Sequence, residues 1–503
     1  IIDPPSLTSH LSGRVTKIAI FASFSEITMA SANKDILLAR LRGGSPMGTA
    51  DQFKLTLLLA LPAILAQLSM CLMSYIDAAM VGRLGSAPAA AVGLVSTSTW
   101  ILGGFCYANN SGFSVQVAHR CGARDFGGAR KIFHKGLATV ALVSVILSVI
   151  GLAVSGALPG WLGGAEDIRS DASDYFRIYS LFLPTFQIAI FCEASLIASG
   201  NMKIPSITSM AMCLLDVLFN YLFIFVLGLG VKGAALGTGL ATLCAGGFLL
   251  FYIFTCSPEL RQRGQDCRTG RDEAGRIFSR AFDISWPLWL QNVVTRGAYV
   301  AATVIVAPLG TVAIAANSFA VIAEGFCYLP GYGMQDAATT LVGQSLGARR
   351  KDMARSFAKV TIGTGASMMT LLAVLMWAFA PQIMELMSQD PEVIALGASC
   401  LRIEAWAELL FGVSIVAYGC CVGAGDTLIP SAINLLSMWV IRLGLALLLI
   451  PHLGLEGYWI AMATELSLKG IIFAFRIKGD RWMKTKLTEA ATAIPQVPEE
   501  QII

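Results

Sequence analysis

Residues Ser257–Ala281, SPELRQRGQDCRTGRDEAGRIFSRA, form a charged stretch without hydrophobic periodicity in a chain that is otherwise mostly apolar. Such a stretch reads as a linker, and what flanks it decides the fold. Before it, apolar runs fall near 55–80, 89–118, 128–157, 172–198, 205–228 and 233–256. After it they resume near 283–306, 313–341, 354–380, 396–421, 430–451 and 457–477. A membrane-spanning helix needs about 20 apolar residues, so the order is six spans, a linker and six spans. Of 503 residues, 55% are hydrophobic and 14% charged, against about 25% charged in soluble domains. That balance excludes an ordinary soluble enzyme.

The two flanks repeat. Pro62 and Pro287, Leu84-Gly85 and Leu309-Gly310, Gly122-Ala123-Arg124 and Gly347-Ala348-Arg349, Ala129-Arg130 and Ala354-Arg355, Gly200 and Gly425, and Pro205 and Pro430 all stand 225 residues apart. Gly230 and Gly454 stand 224 apart. A register held over half the chain implies two copies of one six-helix unit, and because six is even both copies sit the same way up. The expected fold is an all-α membrane protein with twelve transmembrane helices in two pseudo-symmetric six-helix bundles. The N-terminal lobe is read as 53–256, the linker as 257–282, the C-terminal lobe as 283–480 and a tail as 481–503. Residues 1–52 read as an extension outside the fold, with translation expected to begin near Met29 or Met47. Parallel repeats with substrate held at the bilayer midplane are a secondary-transporter architecture.

Lys and Arg in the short loops set the orientation. Arg120, Arg124, Arg130, Lys131 and Lys135 share one side with the linker arginines and with Arg349, Arg350, Lys351 and Arg355, while the opposite loops carry acids such as Glu166, Asp167, Asp390 and Glu392. Both termini are therefore expected in the cytoplasm. A net charge of +4 without a basic stripe gives no nucleic-acid surface. The 12 cysteines are scattered through apolar runs and read as packing residues. There is no phosphate-binding Gly-rich loop ending in Lys-Ser/Thr, and the four histidines form no nucleophile–base constellation, so an enzyme is not expected.

The stretches LPAILAQL (Leu61–Leu68), IDAAMVGRLG (Ile76–Gly85), VAHRCGARD (Val117–Asp125), GVKGAALGT (Gly230–Thr238), ATTLVGQSLGA (Ala338–Ala348) and VGAGDTLIP (Val422–Pro430), in this order and spacing, resemble the multidrug and toxic compound extrusion (MATE) family. The resemblance runs from about Phe53 to Lys484. It implies a V-shaped pair of six-helix lobes in a bacterial inner membrane that exports organic, often cationic and amphipathic, small molecules in exchange for H⁺ or Na⁺, with no cofactor and as a monomer.

A carboxylate in a membrane span is costly and marks function by default. Asp77 lies in the first span, fifteen residues after Pro62, which can kink its helix. Asp216 and Asn220 in the fifth span are four residues apart and share a helix face. Family members usually place Asn before Asp in this turn, so the order here is exchanged. With Thr238 in the sixth span, the resemblance implies a cation-coupling set of Asp77, Asp216, Asn220 and Thr238, whose oxygens suit Na⁺ and whose carboxylates suit H⁺.

The C-terminal lobe departs from the family. Where Na⁺-coupled and eukaryotic members carry a Glu in the seventh span, this chain reads VTRGAY (Val294–Tyr299). Arg296 needs a partner, with Glu324, Glu404 and Glu408 as candidates, and Arg442 and Glu465 form a second plausible pair; each is read equally as structural or functional. Trp100, Phe105, Tyr107, Phe219, Phe326, Tyr328, Met334 and Trp406 are candidate pocket residues, although packing or lipid contact explains most of them. YLPGYGM (Tyr328–Met334) is expected to interrupt the eighth helix beside a cavity. Two alternatives remain: a lipid-linked oligosaccharide flippase of the related superfamily, which would favour a strongly cationic cavity, and a membrane receptor that binds without transport.

Overall fold

The structure, a computed structural model, describes residues 33–261 and 270–483, and every regular element among them is helical. The first half comprises α1 (33–42), α2 (Thr49–Gly82), α3 (Ser86–Gly122), α4 (Phe126–Val154), the short α5 (Leu158–Trp161), α6 (Glu166–Ala198), α7 (Lys203–Tyr221) and α8 (Gly230–Thr255). The second comprises α9 (Arg271–Val306), α10 (Thr311–Gly347), α11 (Lys351–Ala378), the short α12 (Ala380–Glu385), α13 (Pro391–Ala405), α14 (Glu408–Gly423), α15 (Leu428–Leu436) and α16 (Leu443–Lys478).

Among the described residues, ten helical stretches are long and apolar enough to cross a membrane, and the pair α13–α14, bent by 57°, adds an eleventh. The 51-residue stretch Leu428–Lys478 contains two lengths, because Gly454 interrupts it with φ 57° and ψ −135°, a conformation no helix continues through. The architecture is thus the all-helical, twelve-span, two-bundle class.

The repeat is written into the backbone. Arg124 and Arg349, the only described non-glycine residues with positive φ, have values of 58° and 60° and stand 225 residues apart. Gly85 and Gly310 (116° and 93°), and Gly200 and Gly425 (89° and 76°), pair in the same register. Packing follows suit: within the first half α6 lies on α3, α4 and α8, and α7 on α2 and α8; within the second α10 and α11 pack on α14, and α14 on α16. Between halves α2 packs on α10 and α3 on α9, two contacts that exchange under the repeat.

Where the basic ends of α3 and α10 cross, backbone meets backbone. A Cβ on Gly122 would stand 2.1 Å from the Gln344 carbonyl oxygen, and one on its repeat partner Gly347 2.0 Å from that of His119. The His119 ring, with Nε2 2.9 Å from the Gly423 carbonyl, adds a polar tie across the same junction. Towards the other end the halves meet through side chains, with Tyr75 stacked on Phe326 at 6.3 Å and Arg296 over Trp100 at 4.7 Å.

Several expectations are corrected. Residues 33–48, read as outside the fold, belong to it: Leu37, Leu38, Leu41 and Met47 are buried in a core shared with α2, α10 and α11. Arg42 there donates to the Ser199 carbonyl (2.6 Å), Gln344 Oε1 (3.1 Å) and Glu259 Oε1 (3.3 Å), so one guanidinium spans both halves. Residues 1–32 lie outside the described residues. The linker is shorter than 257–282, because α9 is helical from Arg271, where Asp272 and Glu273 complement the helix dipole. Of the tail, Trp482 and Met483 are buried against the body, and 484–503 lie outside the described residues. The eighth span is not interrupted: α10 runs through Pro330, and Gly333 serves close approach, since a Cβ there would lie 2.6 Å from the Ile64 backbone nitrogen. The break falls in the tenth span instead, between Ala405 and Glu408.

Because Gly347 has no room for a side chain, Gly347→Val should force α3 and α10 apart and cost about 1–3 kcal/mol, read as a lower thermal unfolding midpoint of the purified protein. Gly363→Ala on α11, which meets nothing within 4 Å, should leave the midpoint unchanged.

Candidate functional site

The four expected coupling residues converge in the first half. Asp216 and Asn220 project from one face of α7, both fully buried. The Asn220 side-chain amide donates to Asp77 Oδ1 on α2 at 2.8 Å and to Asp216 Oδ2 at 3.0 Å. One amide nitrogen thus holds two carboxyl groups, which stand in contact with each other. Thr238 on α8 stands close enough to Asp216 to interact with it. The exchanged order of Asp and Asn is accommodated because residues one turn apart share a face.

The local backbone is shaped around this amide. A Cβ on Gly237 would stand 2.0 Å from Asn220 Oδ1, so α8 can approach α7 only with glycine there. Directly after Asn220 the helix widens into a π-turn, Leu222–Val226, a feature frequent at functional sites. Asp216 Oδ1 and Asn220 Oδ1 are buried with no hydrogen-bond partner among the described residues. A buried polar atom left unmatched is costly, so these two oxygens are ready acceptors for a small cation. Tyr175 on α6, close enough to interact electrostatically with both acids, belongs to the same site and was not read from the sequence.

In the second half Arg442 donates to Glu465 Oε2 at 2.7 Å, Ser437 donates to Oε1 at 2.7 Å, and Lys469 stands 3.2 Å from the same carboxylate. Arg442 ends a second π-turn, Ser437–Arg442. Glu324, Glu404 and Glu408 are buried nearby, and neither Glu404 nor Glu408 has a hydrogen-bond partner for either oxygen among the described residues. Arg296 joins none of them. The expectation that it pairs with one of these acids is corrected: its guanidinium lies over the Trp100 indole at 4.7 Å and near the Tyr299 ring at 6.0 Å. A π-face takes a weakly hydrated guanidinium without needing a second buried charge.

Between the halves lie two adjoining chambers of about 310 and 380 Å³, which share Gln67, Tyr107, Gln335, Asp336 and Tyr418 in their walls. Of the candidate pocket aromatics, only Tyr107 lines them; Trp406 is 80% exposed. Asp336 and Glu193, which face the first chamber, were missed in the sequence although each is an acid in an apolar span, the signal that singled out Asp77. Neither chamber is lined by Asp77, Asp216 or Asn220, so the acid pair sits apart from these two chambers.

Because the Asn220 amide has no slack against α8, Gly237→Ala should displace it from both acids and reduce transport at least about tenfold, the effect of losing one charge-assisted hydrogen bond. Gly247→Ala on the same helix, with nothing within 4 Å, should transport normally.

Comparison with known proteins agrees with the fold. The MatE family model matches residues 62–222 and again 287–448, one copy in each half. A probable multidrug resistance protein NorM of Pseudomonas aeruginosa is 29% identical over 457 residues, covering 88% of this chain and 92% of its own. The probable NorM of Mannheimia succiniciproducens is 25% identical over 471 residues, covering 86% and 96%. Among solved structures, the Vibrio cholerae MATE transporter VcmN in the bent form superposes with a TM-score of 0.80 at 19% identity, covering 87% of this chain and 99% of that one. A MATE structure in the straight conformation gives 0.80 at 21% identity, covering 88% and 98%. With both halves matched by the same family model, the chain belongs to the MatE family of multidrug efflux transporters.

Proposed function

We propose that this transporter is an antiporter, exporting organic, cationic amphipathic compounds in exchange for H⁺ or Na⁺ by alternating access. The observation that carries the reading is the Asn220 amide shared between Asp77 and Asp216. Two carboxyl groups held together in a membrane interior carry more negative charge than one amide donor can offset. A single cation completes the site, either a proton shared by the acids or Na⁺ held by the oxygens of Asp77, Asp216, Asn220 and Thr238.

Asp77 rides on α2, whose helix contains Pro62, and Pro62 leaves one carbonyl of the preceding turn without its helical donor. Cation binding draws Asp77 towards α7 and favours one shape of α2; release favours the other. Since α2 supplies Ala66, Gln67 and Met70 to the chamber wall, a change of its shape reshapes the drug cavity. The moving units are the two six-span lobes, α2–α8 and α9–α16. The backbone junction at Gly122 and Gly347 supports a tight cytoplasmic closure, and the ring contacts at the opposite end support an easier opening outward. The protein works as a monomer in the bacterial inner membrane with both termini cytoplasmic. The flippase alternative loses support from the charge of the two chambers: the first is lined by the acids Glu193 and Asp336, and in the second Arg442 and Lys469 are matched by Glu465 and Asp336, so neither is strongly cationic.

The test is uptake of ethidium into inverted vesicles under separately imposed pH and Na⁺ gradients. The native protein should follow one gradient, and Asp77→Asn should abolish gradient-driven uptake. Uptake that persists in Asp77→Asn would contradict its coupling role.

A further inference from the structure

We propose that Glu193 and Asp336 form a cation-recognition site shared by the two halves, which takes the charged centre of an organic cation between them and against the rings of Tyr107 and Tyr418. This names the substrate-binding residues of the transporter proposed above and rests on that reading.

The two acids come from opposite halves, Glu193 from α6 and Asp336 from α10, and are close enough to repel each other across the chamber. Among the described residues they are the only charged side chains in the wall of the first chamber; the second chamber, which Asp336 also lines, carries Arg442 and Lys469, both paired with Glu465 rather than with Asp336. What each has is a neutral donor at long range: the Ser209 hydroxyl donates to Glu193 Oε1 at 3.3 Å, and the Gln67 amide to Asp336 Oδ2 at 3.3 Å. Neutral donors solvate two carboxylates but do not balance their charge.

Two further polar side chains stand in the same walls. Asn110, 2% exposed, lines the same chamber; its Oδ1 accepts from Gln187, but its Nδ2 has no partner among the described residues. Gln335, 8% exposed, lines both chambers, and its side chain likewise makes no hydrogen bond among the described residues. Tyr107 and Tyr418 stand in the shared wall beside Asp336. Carboxylates with tyrosine faces are the combination that recognises alkylammonium and similar lipophilic cations, and the Gln335 amide, which lines both chambers, suits a hydrogen-bonding group on the same molecule.

The placement also explains how substrate and ion can exclude each other without sharing a carboxylate. Gln67 lies on α2, and Ser209 lies on α7, the two helices that Asn220 joins. A cation that draws Glu193 and Asp336 together loosens both donors and pulls the halves inward at the chamber.

The test is equilibrium binding of tetraphenylphosphonium and of tetraphenylborate, equal in shape and opposite in charge, to the purified full chain, with ethidium uptake measured on the same proteins. The native protein should prefer the phosphonium. Glu193→Gln and Asp336→Asn should each weaken phosphonium binding about tenfold or more and narrow the preference, whereas Asp336→Glu should keep it. Native phosphonium affinity and unchanged preference in both neutral variants, with uptake intact, would overturn the site and leave the transport reading standing. Charge-selective binding lost in those variants, in a protein that neither gradient drives, would support the site and overturn the exchange reading.

Discussion

The constraint on which the rest depends is a single amide nitrogen shared between two acids on two helices. Asn220 ties α7 to α2 through Asp77 while holding Asp216 on its own helix. In water such a contact would be worth little. In a membrane interior the alternative is two unscreened carboxyl groups, so the helices are held where the amide can reach both. That requirement sets the approach of α8, which needs glycine at 237, and fixes the end of α7, where the helix widens immediately beyond Asn220. In the proposed mechanism it also makes the position of α2 responsive to the cation that joins the site.

A transporter needs one end of its cavity to resist opening more than the other, and here the difference is one of materials. At the basic end, glycines at repeat-related positions bring two backbones together, a contact with no side-chain freedom to absorb movement. The α1 segment reinforces it, with Arg42 hydrogen-bonded to both halves. Towards the opposite end, the Tyr75–Phe326 stack and the Arg296–Trp100 contact are side-chain interactions that rotamer changes can release. The duplicated chain has therefore kept its symmetry in the framework and spent its divergence on the contents. The first bundle holds an amide-bridged acid pair, whereas the second holds the Arg442–Glu465–Lys469 group and the buried Glu404 and Glu408.

The framework was legible in the sequence because glycines, prolines and loop charges report on backbone geometry directly. The 225-residue register between Gly122 and Gly347 reappears as a shared crossing, and that between Arg124 and Arg349 as matching left-handed dihedrals. Asp77, Asp216, Asn220 and Thr238 were also readable, and the structure brings them to one place. Contacts across the chain were not. Nothing in VTRGAY shows that Arg296 would choose an aromatic face from α3 over an acid. Pro330 suggested a broken helix, yet neighbouring helices hold α10 intact while the bend falls at a site without proline. Glu193 and Asp336 carried the same intramembrane signal as Asp77 but lacked a motif, and only the folded chain sets them in one wall. The helix 33–42 does not stand out in the sequence because Lys34, Asp35, Arg40 and Arg42 are mixed among its leucines, although those leucines suffice to dock it.

If cation and drug alternate because both act on α2, linkage requires that each weaken the other by the same factor. The most direct measurement is the affinity of purified protein for ethidium across a series of pH values and Na⁺ concentrations, paired with a count of the ions released on drug binding. The account predicts a drug affinity that falls as one of the two ions is raised, with release of that ion on drug addition, and loss of both effects when Asn220 is replaced by Leu. Drug affinity independent of both ions in the native protein would contradict it.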